Sequence, residues 1–118
     1  MTGVRVKVEG AAPAAPNQAR AVVLPRGPQG RPRQAILVRD ASGALRAYLN
    51  LCMHMPIPID AFSGDFLSPD GTELLCRTHG ASYRLDDGLC VRGPCVGRSL
   101  VRLGLVREGD DLYVIDTP

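Results

Sequence analysis

Four residues constrain this chain more than any others: Cys52, His54, Cys76 and His79. They stand as Cys52-Met53-His54 and Cys76-Arg77-Thr78-His79, with 21 residues between His54 and Cys76. They use both histidines and two of the four cysteines. Thiolate is a soft ligand and imidazole a borderline one. Two of each favour zinc or an iron–sulfur centre over calcium or magnesium, which take oxygen ligands. A fold serving this set must bring two short loops together, each supplying one sulfur and one nitrogen.

The two metals ask for different arrangements. Common zinc fingers place two cysteines in one pair and two histidines in the other. Here each pair is mixed, an order that tetrahedral zinc also accepts. Mixed pairs suit an iron–sulfur centre in which cysteines hold one iron and histidines the other. The surrounding residues carry a resemblance. They are Asn50-Leu51-Cys52-Met53-His54, Ile57-Pro58-Ile59-Asp60, Leu75-Cys76-Arg77-Thr78-His79-Gly80-Ala81-Ser82-Tyr83, Asp87-Gly88 and Gly93-Pro94. This stretch resembles the Rieske [2Fe–2S] domain, particularly its small soluble ferredoxin-like members. The likeness runs from about Arg20 to Pro118 and is strongest from Asn50 to Gly97.

The resemblance implies one [2Fe–2S] cluster. Cys52 and Cys76 would hold the inner iron, and His54 and His79 the outer one. Gly80, Ala81, Tyr83 and Pro94 would surround it, with Gly93-Pro94 as a covering third loop. Gly80 is expected to allow a close backbone approach. Two departures from the family pattern stand out. Where the respiratory members carry two further cysteines joined as a disulfide, this chain has Ile57 and Thr78. Where high-potential members place a serine after the last histidine, it has Ala81, while Tyr83 matches a tyrosine that donates to a ligand sulfur. One donor lost and one kept places the potential in the lower half of a range of roughly −150 to +300 mV. Cys90 and Cys95 are left over. Two readings stand: buried structural thiols, or a Cys90–Cys95 disulfide across the Gly-Pro turn.

The chain has 118 residues, with 13 glycines, 10 prolines and only five aromatic residues, which suits one loop-rich β domain. No apolar run is long enough for a membrane span, and the first residues lack an apolar signal core, so a cytoplasmic location is expected. Residues 1–34 carry a net charge of +5 and residues 35–118 a net −3. Without a base-reading motif, the basic stretch is read as a solvated arm or a dock for an acidic partner, not as a nucleic-acid site.

Residues 1–19 read as a flexible N-terminal arm, with Ala11–Asn17 as its linker. Residues 20–118 read as the domain. Its expected strands are Arg20–Pro25, Ala35–Arg39, Leu45–Leu49, Glu73–Leu75, Ser82–Leu85, Ser99–Val106 and Leu112–Ile115, with glycine-bearing turns at Asp40–Ala44, Ser68–Gly71 and Asp86–Gly88. The fold expected is all-β: a small antiparallel domain that carries two cluster-binding loops between strands. The function expected is one-electron transfer from a reductase, such as a flavin reductase, to a terminal oxygenase or other oxidoreductase. The chain would have no substrate-converting site of its own, because an oxygenase needs a second iron held by two further histidines and a carboxylate. Two alternatives remain: a small electron-transfer subunit stably bound to a larger oxidoreductase, and a structural zinc module.

Overall fold

A computed structural model describes residues 4–27, 30, 32–53, 57–61, 65–78 and 80–116. Nine strands fold as β1 (Val4–Lys7), β2 (Gln18–Leu24), β3 (Arg33–Arg39), β4 (Leu45–Leu49), β5 (Glu73–Cys76), β6 (Ala81–Arg84), β7 (Cys90–Arg92), β8 (Arg102–Glu108) and β9 (Asp111–Asp116). Six form one antiparallel sheet in the order β1-β9-β8-β4-β3-β2, and three form a second in the order β5-β6-β7. The all-β expectation holds. No helix long and apolar enough to cross a membrane occurs among the described residues.

β3 explains how the sheets share a core. Its apolar run Ala35-Ile36-Leu37-Val38 is fully buried, because alternate side chains enter different clusters. Ile36 and Val38 join Tyr48, Leu74, Tyr83 and the four cysteines. Ala35 and Leu37 point the other way, to Val22, Ala47, Leu103 and Val114. β4 repeats the division, with Tyr48 in the first cluster and Ala47 in the second. The first cluster lines the three-stranded sheet and therefore surrounds the cysteines. Tyr48 is buried among them because its hydroxyl donates to the Leu85 carbonyl at 2.8 Å. Burial pushes the Tyr48 phenol up to about 12.

The hairpin of β3 and β4 turns on Asp40. Its Oδ1 accepts from the Ser42 and Ala44 amides at 2.9 and 3.0 Å, and from Ser42 Oγ at 2.6 Å. These bonds hold the carboxyl below its usual range despite its burial.

The N-terminal segment differs from the flexible arm expected for it. Val4–Lys7 is a strand, paired from Val4↔Asp116 to Lys7↔Tyr113. Its partner lies at the far end of the chain, a pairing that local pattern does not reveal. The linker is also held. Arg39 Nε donates to the Pro13 carbonyl at 2.8 Å, Arg20 Nη1 donates to Glu9 O at 2.7 Å and Ala11 O at 3.0 Å, and Asn17 Nδ2 donates to Gly71 O at 2.7 Å. Much of the basic charge has local partners. Arg5 pairs with Glu108, Lys7 with Asp111 and Arg33 with the buried Asp116.

Candidate metal centre

The first loop leaves β4 and is tied at its neck by Asn50. The Asn50 amide donates to the Gln34 carbonyl at 2.9 Å. Its Nδ2 donates to Asp60 Oδ1 at 3.0 Å and Gln34 Oε1 at 3.2 Å, while its Oδ1 accepts from the Ile59 amide at 2.8 Å. One buried side chain thus joins the outgoing and returning ends of the loop. Inside it the Cys52 amide donates to the Ile57 carbonyl at 2.8 Å. Asn50 belonged to the resembling stretch, but its part in holding the loop was not read from sequence. Asn50→Ala leaves the buried Ile59 amide unpaired, and chemical denaturation is expected to show a loss of about 1–3 kcal/mol. An unfolding midpoint equal to the wild type would remove Asn50 from this role.

The second loop starts where β5 delivers Cys76 and ends where β6 begins at Ala81, its direct partner in register. The Gly80 amide closes the turn onto the Cys76 carbonyl at 3.0 Å. Gly80 has φ +76°, and a Cβ there would meet no described atom within 4 Å. This backbone conformation by itself favours glycine. Gly93 is the crowded one: a Cβ there would lie 2.8 Å from Ala81 Cα and 2.9 Å from Gly80 O. The turn at Gly93 thus rests directly on the end of the second loop. Ala81 is fully buried and Pro94 is exposed.

Cys52 and Cys76 are both buried in one apolar cluster, near enough for each to bear on the other's charge. Burial foremost pushes the Cys76 thiol up; Cys52 adds to the rise and Thr78 opposes it. Two thiolates side by side in an apolar pocket need a cation between them, and a soft metal supplies it. The donor set therefore fits an iron–sulfur group. His54 and His79 lie outside the described residues, and among the described residues no group of three or more His, Cys, Asp or Glu side chains comes together as a metal site.

Tyr83 sits behind the first loop. Its hydroxyl accepts from the Met53 amide at 2.9 Å and lies 3.4 Å from Cys52 Sγ and 3.2 Å from Cys95 Sγ. Burial, then the two neighbouring sulfurs, push the phenol well above its ordinary value, so it stays a hydroxyl. Cys95 Sγ lies 3.2 Å from Cys90 Sγ, and the Cys90 thiol donates to the Arg92 carbonyl at 3.0 Å. Cys90 and Cys95 are buried free thiols here. Arg98 Nη1 reaches the Met53 carbonyl at 3.4 Å, joining the turn after Gly93 to the first loop.

Two loops on a β frame each deliver a buried cysteine to one side of the core. The Rieske [2Fe–2S] domain model matches residues 14–113, and the chain belongs to that family, whose domain carries an iron–sulfur site. The ferredoxin of carbazole 1,9a-dioxygenase from Nocardioides aromaticivorans IC177 has a similar fold: TM-score 0.64 and 22% identity, over 99% of this chain and 100% of that one. A chain in the complex of reduced oxygenase and oxidized ferredoxin in carbazole 1,9a-dioxygenase gives 0.66 and 18%, over 96% and 94%. The terminal oxygenase of carbazole 1,9a-dioxygenase from Novosphingobium sp. KA1 gives 0.71 and 19%, over 99% of this chain but 31% of that one. No curated protein matches the sequence significantly.

Proposed function

We propose that this protein is a one-electron carrier with a single Rieske-type [2Fe–2S] cluster, taking electrons from a reductase, such as a flavin reductase, and passing them to a terminal oxygenase or other terminal oxidoreductase. The observation that carries the reading is the convergence of Cys52 and Cys76 from two separate loops into one buried cluster within a domain of this family. Cys52 and Cys76 would hold one iron, and His54 and His79 the other. When bound, such a cluster supplies reversible one-electron redox chemistry with mixed nitrogen and sulfur ligation.

The chain's own residues do the rest. Asn50 closes the first loop, so the Cys52 thiolate keeps one position as charge changes. The Tyr83 hydroxyl is placed to donate to that sulfur, which favours the reduced state. Small movement between oxidation states is what a carrier requires. The chain has only two histidines, both assigned here to the cluster, so none is left for a second, substrate-converting iron. This makes it a carrier and not an enzyme. A cytoplasmic setting belongs to the same proposal, because free thiols such as Cys90 and Cys95 persist in a reducing compartment.

A second reading keeps the same chemistry in a small subunit held permanently by a larger oxidoreductase. It is favoured by the fold likeness to a chain three times longer. Co-purification of a large partner at equal stoichiometry separates it from a free carrier.

The deciding experiment is EPR on anaerobically purified, dithionite-reduced protein, with iron and sulfide assayed on the same sample. A rhombic signal averaging near g of about 1.9, with about two irons and two sulfides per chain, is the expected result for mixed ligation. Colourless protein with stoichiometric zinc and no sulfide would overturn electron transfer and leave a structural zinc module.

A further inference from the structure

Cys90 and Cys95 are not needed to hold a metal, yet the fold brings them together with care. The Cys90 amide donates to Arg98 O at 2.7 Å, Gly97 donates back to Cys90 O at 3.2 Å, and Arg98 donates to Cys95 O at 3.0 Å. This compact turn sets the two sulfurs 3.2 Å apart. Cys95, itself 5% exposed, lines a surface recess of about 290 Å³, together with Met53, Pro94, Val96 and Arg98. Cys90 does not line that recess and is 1% exposed. On its other side, Cys95 touches the Tyr83 hydroxyl that also touches Cys52. The arrangement therefore runs from the recess through Cys95 and Tyr83 to Cys52, with Cys90 branching from Cys95.

We infer that Cys90 and Cys95 form a redox-responsive dithiol, closed to a disulfide by hydroperoxides, and that Tyr83 relays its state to Cys52. The relay rests on the iron–sulfur reading; the dithiol does not. The Cys95 thiol meets the oxidant from the recess. Its sulfur takes one oxygen from the hydroperoxide, giving a sulfenic acid and releasing the alcohol, or water from hydrogen peroxide. The Cys90 thiol then attacks that sulfur, the S–O bond breaks, and one water leaves as the disulfide forms. Two thiols lose two electrons and the peroxide gains them. Burial pushes the Cys90 thiol up to about 11, so Cys90 is not the first nucleophile, and its attack on the sulfenic sulfur passes its proton to the departing oxygen.

The closed disulfide has no S–H to offer and is a weaker acceptor than a thiol. In the open dithiol, the Tyr83 proton faces two sulfurs, Cys52 and Cys95. Closure leaves Cys52 as the better acceptor. A stronger bond to a ligand sulfur favours the reduced cluster, so the potential rises when the dithiol closes.

The test uses the full-length, cluster-loaded protein and hydrogen peroxide in small excess. Remaining thiols are then alkylated, the protein is digested with trypsin without reductant, and the peptides are read by mass spectrometry. Arg92 lies between the two cysteines, so closure links two separate tryptic peptides. The expected result is that linked pair, reopened by a phosphine reductant, with iron and sulfide retained and the midpoint potential raised. Tyr83→Phe is expected to keep the linkage and lose the rise in potential. Cys90 and Cys95 both still open to alkylation, Cys95 over-oxidised without linkage, or links only to Cys52 or Cys76 with iron released would each overturn the dithiol. Linkage with an unchanged potential would overturn the relay. A preparation without sulfide signals failure of the iron–sulfur reading itself, and the peptide map still decides the dithiol.

Discussion

Gly93→Ala is expected to be among the most damaging single-methyl additions to this protein, costing about 2–5 kcal/mol. Two effects combine. Gly93 has φ +90°, a conformation that side chains rarely adopt. Its Cβ would also lie 2.8 Å from Ala81 Cα, 2.9 Å from Ala81 N and 2.9 Å from Gly80 O. All three atoms are backbone, held by the register of Ala81 against Cys76, and none can swing away as a side-chain tip would. Gly97 supplies the control. It has φ +92°, yet a Cβ there meets no described atom within 4 Å. Gly97→Ala therefore reports the backbone strain alone, of order 1–3 kcal/mol. Denaturation midpoints measured side by side should place Gly93→Ala clearly below Gly97→Ala. Equal midpoints would mean that the contact between the Gly93 turn and the second loop yields at no cost. The same variant should also lose iron faster on dilution into a chelator, because the displaced backbone is the one that follows Cys76.

How far the molecule could be read in advance depended on the range of the interactions involved. β4 was expected at Leu45–Leu49 and lies there, because its hairpin with β3 turns on a short glycine-bearing loop whose chemistry is local. β3 extends two residues earlier than Ala35, since Arg33 is drawn into pairing with Leu24 and into a bidentate bond with Asp116 at 2.8 and 3.0 Å. β8 begins at Arg102, not Ser99. Only a single bridge, Leu89↔Ser99, falls before it, because this stretch serves the smaller sheet. β1 went unread: four residues of alternating valine make no signal alone, and the partner strand is more than a hundred residues away. The buried meeting of Cys52 and Cys76 rests on residue type and loop origin, which spacing does convey. The Tyr83–Cys95–Cys90 chain rests on a register shift between Ser82 and Tyr83 that sets Tyr83 opposite Cys90. No residue in the sequence marks that shift.

Cys76→Ser is expected to abolish the metal group. Cys76 is 1% exposed, so a replacement side chain is out of reach of water, and Thr78 gives it a hydrogen-bond partner but no metal-binding sulfur. A serine hydroxyl is far less acidic than a thiol and offers a hard oxygen where the metal prefers soft sulfur. The lost sulfur also leaves Cys52 as the single buried thiolate of the pair, unable alone to anchor the inner iron. The purified variant should be colourless, with acid-labile sulfide below about a tenth of the wild-type value and no signal on dithionite reduction. Its far-UV circular dichroism should still report a β domain, because Leu74 and Tyr83 hold β5 to β6 independently of the metal. Cys90→Ser is the matched comparison, equally buried at 1% and on the same sheet, but outside the proposed ligand set. It should retain about two irons and two sulfides per chain. If both serine variants lost the group equally, burial of the cluster and not ligation by Cys76 would be the cause. If Cys76→Ser kept its full complement, the inner iron would have to be held elsewhere and the two-loop site would be wrong.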